Sequence, residues 1–182
     1  MAADSDPCTV EELDGLLWLS EDESLGGLRN DCDEVFTNVY VGDESIARNK
    51  DKLGKLGITH VLNCGQGTAA YHVNTDESYY EDVKIKFCGL RVADIEGANL
   101  KEHFGTAVRF IDEALAEENG KILVHCVAGY SRSATVAMAY LMMRRGMRAR
   151  DAVRAVRKKR DVGPNDGFLL QLCQLDEELR QK

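Results

Sequence analysis

Hydrophobic positions recur in two rhythms along this chain of 182 residues. Short apolar runs alternate with stretches in which every third or fourth position is apolar. Val39-Tyr40-Val41 predicts a short strand, Thr59 to Cys64 a second, and Ile85, Phe87 and Leu90 a third. Lys121 to Cys126 is a short apolar run closed by Gly120 and a loop, the pattern of a buried strand. Leu100, Phe104, Ala107, Val108, Ile111 and Leu115 keep one helical face apolar, with Asn99 as cap and Glu102 at the capping-box position. A helix from about Ser131 to Arg145 is apolar all round from Ala134 to Met143, apart from Thr135 and the Tyr140 hydroxyl, and should be central. Gly146 ends it. Ala149, Ala152, Val153 and Val156 define the next helix, and Phe168, Leu172, Leu175 and Leu179 the last.

Strands alternating with helices predict an α/β fold, a mostly parallel sheet with helices on both faces. Residues 33–182 form the main domain. Residues 1–32 are a separate acidic segment, in which Thr9 caps one amphipathic helix carrying Val10, Leu13, Leu16 and Leu17. A mobile link containing Gly26-Gly27 follows.

Composition narrows the function. Hydrophobic residues make up 44% and charged residues 30%, as in an ordinary globular domain. The net charge of −8 disfavours nucleic acid and anionic lipid as partners, and no run of about eighteen apolar residues predicts a membrane span. The N-terminus lacks the basic and apolar regions of a secretory signal, so the expected location is cytoplasmic or nuclear. The cysteines at 8, 32, 64, 88, 126 and 173 are irregularly spaced, without a C-x-x-C pair, and are expected to be reduced thiols. No histidine pairs with a cysteine at zinc-ligand spacing.

The chemistry concentrates at His125-Cys126-Val127-Ala128-Gly129-Tyr130-Ser131-Arg132-Ser133. A strand ends in a cysteine, five loop residues follow, and an arginine opens a helix. Backbone N–H groups of such a loop can turn inward as an anion-binding nest, with the helix N-terminus behind it. Gly129 permits the curvature. Arg132 can hold two phosphate oxygens with its planar fork. A thiol in that field can fall from a pKa of about 8.5 into the range of roughly 3.5–7.5, and Cys126 is expected to be a nucleophile without a general base. Asp94, after a strand and a short loop, is the candidate general acid and then base, with Asp82 and Glu96 as nearby alternatives. The Ser133 hydroxyl can donate to the leaving sulfur. Cys64 ends a strand that can lie beside the catalytic one, which makes it a candidate redox partner of Cys126 or else a small buried side chain.

The run H-C-V-A-G-Y-S-R-S-A-T resembles the H-C-x-x-G-x-S-R-S signature of the dual-specificity phosphatases, with His125 as a supporting residue. I-T-H-V-L-N at 58–63, A-Y-L-M-M-R at 139–144 and G-P-N-D-G-F at 163–168 are similar to the small atypical members, closest to the VHR type. The resemblance runs from about Cys32 to Arg180. It implies the protein-tyrosine-phosphatase fold, no metal or cofactor, phosphoprotein substrates, mitogen-activated protein kinases among them, and a monomer or weak dimer. It supports the roles given to Cys126, Arg132, Asp94 and Ser133. It implies that Asn165 braces the phosphate loop and that Arg160 offers a second anionic site.

Val127 and Ala128 stand where the VHR type has charged residues. The rim becomes more apolar, and Tyr71 either lines it, stacking on a substrate ring, or is an ordinary surface tyrosine. The chain lacks the added loops of the large tyrosine phosphatases, so a shallow cleft admitting phosphoserine, phosphothreonine and phosphotyrosine is expected. Two other readings stay open: a phosphopeptide-binding module without turnover, and a phosphoinositide or RNA 5′-phosphatase. Arg150, Arg154, Arg157, Lys158, Lys159 and Arg160 form either a docking surface for an acidic partner or a solvated helix face.

Overall fold

A computed structural model of the chain describes residues 6–18 and 30–181. The strands are β1 (Cys32–Phe36), β2 (Val39–Gly42), β3 (His60–Asn63), β4 (Lys86–Gly89) and β5 (Ile122–His125). They form one sheet in the order β1-β2-β5-β3-β4. β2, β5, β3 and β4 run parallel, and β1 closes one edge antiparallel to β2. This is the mostly parallel sheet that the alternating pattern predicts.

The two central strands are buried at every position. Successive side chains of a strand face opposite ways, and the packing follows that rule. Ile122 and Val124 of β5 join one apolar cluster, and Leu123 joins the other. The larger cluster is built with α5 (Phe104–Ala116), α6 (Arg132–Arg145), α7 (Ala149–Arg157) and α8 (Asp166–Arg180). The smaller one is built with α2 (Glu44–Arg48), α3 (Lys50–Leu56) and α4 (Glu77–Tyr80) on the opposite face. The helix expected to be central is so: α6 is buried from Arg132 to Met142. The Asn99 expected to cap the long helix instead starts a short 3-10 turn at Lys101–His103, its Oδ1 accepting from Glu102 N at 3.3 Å, and α5 follows without a side-chain cap.

The acidic segment contributes α1 (Val10–Trp18), capped by Thr9, whose Oγ1 accepts from Glu12 N at 3.2 Å. Leu13 and Leu17 are buried against α7 and α8. Arg150 pairs with Glu12, and Arg157 Nε donates to Leu17 O at 2.8 Å. The basic face of α7 is therefore partly occupied by the chain's own N-terminal helix. The link expected around Gly26-Gly27 lies outside the described residues.

One expectation is corrected here. Cys8 and Cys173 are joined as a disulfide, with their Cα atoms 5.2 Å apart, and tie the start of α1 to α8. The remaining four cysteines are free thiols. Spacing along the chain could not reveal the pair, because 165 residues separate its members. Among the described residues no helix is long and apolar enough to cross a membrane.

Candidate active site

The carboxyl ends of β2, β5, β3 and β4 gather at one edge of the sheet, where such folds bind ligands. Residues 126–131 form a loop there, between β5 and α6. Its carbonyls are pinned from outside. Glu44 N donates to Val127 O at 3.0 Å, Arg160 Nε to Gly129 O at 2.9 Å, and Gly163 N to Tyr130 O at 3.0 Å. A trans peptide is planar, so the N–H after each carbonyl points the opposite way. The N–H groups of Ala128, Tyr130 and Ser131 are thereby turned toward the inside of the loop, as an anion nest requires. Gly129 has φ of 62°, and a side chain there would collide with the Gly42 carbonyl and the Arg160 guanidinium. Glycine is required at that position for both reasons.

Arg132 sits in the first turn of α6 and is 2% exposed. Its Nη1 donates to Val92 O at 3.1 Å and Tyr71 O at 3.2 Å, which fixes the plane of the guanidinium. A methyl group on Gly65 would occupy the same space as that guanidinium. Arg132 Nε makes no hydrogen bond within the protein and lies 3.3 Å from Asp94 Oδ2. Asp94 Oδ1 accepts from Ser131 Oγ at 2.7 Å and from Asn165 Nδ2 at 3.0 Å. Ser131 precedes α6 but does not cap it, because its hydroxyl is turned to Asp94. Of the three acidic candidates, Asp94 alone has such contacts to the loop. Asp82 pairs with Lys50 elsewhere.

Cys126 is 1% exposed, and its Sγ lies 3.3 Å from Ser133 Oγ. His125 is fully buried. Desolvation first, partly offset by the Cys126 carbonyl 3.3 Å from its Nδ1, pushes its pKa down to about 4, so the ring is neutral at physiological pH. Cys64 follows β3 in parallel register with β5, and its N–H donates to His125 O at 2.8 Å. Burial first, and then the neighbouring Cys126, pushes the Cys64 thiol well up. It is a buried protonated thiol beside the candidate nucleophile.

The rim carries Tyr71 and Ile95, 62% and 60% exposed, beside the exposed Ala128 and half-buried Val127 and Tyr130. The backbone of Tyr71 is held by Arg132, while its exposed ring is tilted against that of His72, with 5.3 Å between centroids. Ile95 was not singled out in the sequence, although its position directly after Asp94 was visible there.

Two placements differ from what the resemblance implies. Asn165 caps α8 by accepting from Phe168 N at 3.0 Å, and its amide braces Asp94 rather than the phosphate loop. Arg160 is 1% exposed, inside the protein behind Gly129, and is not displayed at the surface as a second anionic site. Sequence reasoning missed the donors and acceptors that hold the site: Glu44 N, Gly163 N, Tyr71 O and Val92 O. All are backbone atoms, which residue identity does not mark. Among the described residues no three His, Cys, Asp or Glu side chains gather as a metal site.

The comparisons with known proteins agree with this geometry. The family model of the dual specificity phosphatase catalytic domain matches residues 39–178. The chain belongs to that family of protein phosphatases. Human DUSP28 superposes with a TM-score of 0.73 at 25% identity, covering 84% of this chain and 97% of that one. The human tyrosine phosphatase-like serine/threonine/tyrosine-interacting protein gives 0.72 at 32% identity, covering 85% of this chain and 100% of that one. A mouse putative dual specificity phosphatase complexed with zinc tungstate gives 0.72 at 25% identity, covering 90% and 95%.

Proposed function

We propose that this protein hydrolyses phosphate monoesters of tyrosine, serine and threonine in phosphoproteins, through a phosphate bound covalently to Cys126. The observation that carries the reading is the convergence of Cys126, Arg132, Asp94 and Ser133 on one loop whose carbonyls at 127, 129 and 130 are drawn outward. In the first step the Cys126 thiolate attacks phosphorus, and the bond to the leaving oxygen breaks. Protonated Asp94 gives that oxygen its proton, so the alcohol or phenol departs neutral. The loop N–H groups and the Nε edge of Arg132 take the charge on the equatorial oxygens. In the second step the Asp94 carboxylate removes a proton from water, water attacks phosphorus, and Ser133 donates a hydrogen bond to the departing sulfur.

The rim supports an aryl preference within that range. Tyr71 and Ile95 offer apolar surface to a phosphotyrosine ring. Val127 and Ala128 add no positive charge, which disfavours a polyanionic inositol lipid or RNA 5′-end. The neighbour named phosphatase-like is the reason to keep binding without turnover as a second reading. Nucleophile, arginine and acid are all present here, and that favours turnover.

Matched phosphotyrosyl, phosphothreonyl and phosphoseryl peptides test the range. Release of phosphate from all three, fastest from phosphotyrosine and absent with Cys126→Ser, is expected. Peptides that bind tightly but are never hydrolysed would leave the second reading standing instead.

A further inference from the structure

Among the described residues, Arg160 is the most deeply buried charge outside the candidate catalytic groups. Its side chain is 0% exposed. It reaches three residues on two segments: Nε donates to Gly129 O at 2.9 Å, and Nη1 to Asn30 O at 2.9 Å and Asp33 Oδ2 at 2.7 Å. Its Nη2 is buried, makes no hydrogen bond within the protein, and fills the space where a Gly129 side chain would stand. Burying a guanidinium costs several kcal/mol unless it is paired and hydrogen-bonded. Asp33 supplies the countercharge, from an edge strand that sequence patterning did not reveal.

We infer that Arg160 is a positioning residue that sets the phosphate loop, with Asp33 as its anchor. The inference rests on the reading of that loop as a phosphate cradle. Of the loop carbonyls at 127, 129 and 130, the first and last are held by backbone N–H groups. Gly129 O is held by a side chain. The Gly129–Tyr130 peptide has a left-handed glycine on one side, the least restricted backbone available. Without Arg160 that peptide plane is free to rotate, and the Tyr130 N–H no longer points inward. The bond is also charge-assisted. A cation on the carbonyl polarises the amide and makes its N–H a stronger donor to an anion. Arg160 thus acts on the bound phosphate through one peptide group, without touching it.

The test is steady-state hydrolysis of p-nitrophenyl phosphate, with competitive inhibition by orthovanadate, in the full chain. Arg160→Met should raise both KM and the orthovanadate inhibition constant by about tenfold, the scale of one charge-assisted hydrogen bond. Arg160→Lys and Asp33→Asn, gentler to the fold, should move both constants the same way by about threefold. A role confined to holding the fold lowers the fraction of active molecules, and so lowers apparent kcat with KM and the inhibition constant unchanged. That pattern in the soluble variants would overturn the inference while leaving the phosphatase reading intact. A wild-type protein that neither binds orthovanadate nor turns over would remove both.

Discussion

Arg132 Nε and Asp94 Oδ2 lie 3.3 Å apart, across the mouth of the loop that surrounds Cys126. The Nε edge of the arginine, not hydrogen-bonded within the protein, is thus ion-paired with the residue proposed as general acid. An arriving phosphate takes Asp94's place on Arg132, and the carboxyl group is left beside the ester oxygen, still steadied by Ser131 and Asn165. Asp94→Asn should lower kcat for phenyl phosphate by about 10²–10³, within the range of general acid catalysis. The loss should be several-fold smaller for p-nitrophenyl phosphate, whose leaving group needs little protonation. Equal losses on the two esters would remove Asp94 from the acid role.

Ser133 concerns the second half of the cycle. Its hydroxyl is 3.3 Å from the sulfur that must leave. Ser133→Ala should cut kcat by about tenfold, the scale of a hydrogen bond to a charged group. Stopped-flow traces should then show a burst of p-nitrophenol before the slow steady state. Slowing without a burst would place Ser133 in the first step.

The reading of Cys64 as redox partner of Cys126 predicts that the site survives oxidation. Peroxide converts the Cys126 thiolate to a sulfenic acid, which condenses with the protonated Cys64 thiol to form a disulfide and water. Peptide mapping after mild peroxide should find a 64–126 linkage, and dithiothreitol should restore activity. Cys64→Ser should lose activity irreversibly under the same treatment. Full recovery of that variant would show that Cys64 protects nothing.

Stability should depend on pH through His125. Its pKa is about 4 in the folded protein and about 6.5 in an unfolded chain. Between those values the unfolded state binds the extra proton, so the stabilisation is complete above pH 6.5 and is lost as pH falls to 4. The loss from this group amounts to about 3 kcal/mol. His60, also pushed down by burial, acts in the same direction. Urea unfolding at several pH values checks this: His125→Asn should flatten the dependence across that window by about that amount.

What the sequence makes legible follows from burial. β3 and β5 are recognisable because every position is covered and therefore apolar, and α6 for the same reason. β1 is not, since Val35 is its one buried residue and the charged pair Asp33-Glu34 interrupts any apolar run. α2 and α3 are too short for a helical rhythm to repeat. At the site, the side chains that the loop gathers, Cys126, Arg132 and Ser133, are readable from type and spacing. Arg160 was not, because a basic run after a helix looks the same whether its last member faces water or the core. Asn165 belonged to the right neighbourhood, but its partner, Asp94, is 71 residues away. The Cys8–Cys173 pair had no local signal at all.

The central claim is that phosphate passes through Cys126. The most direct measurement mixes Ser133→Ala with a phosphotyrosyl peptide, quenches within the first turnovers under denaturing alkaline conditions, and maps phosphate by peptide mass. One phosphate on the peptide containing Cys126, absent from a Cys126→Ser control, is the predicted result. Phosphate on another residue, or undiminished hydrolysis by Cys126→Ser, would contradict it.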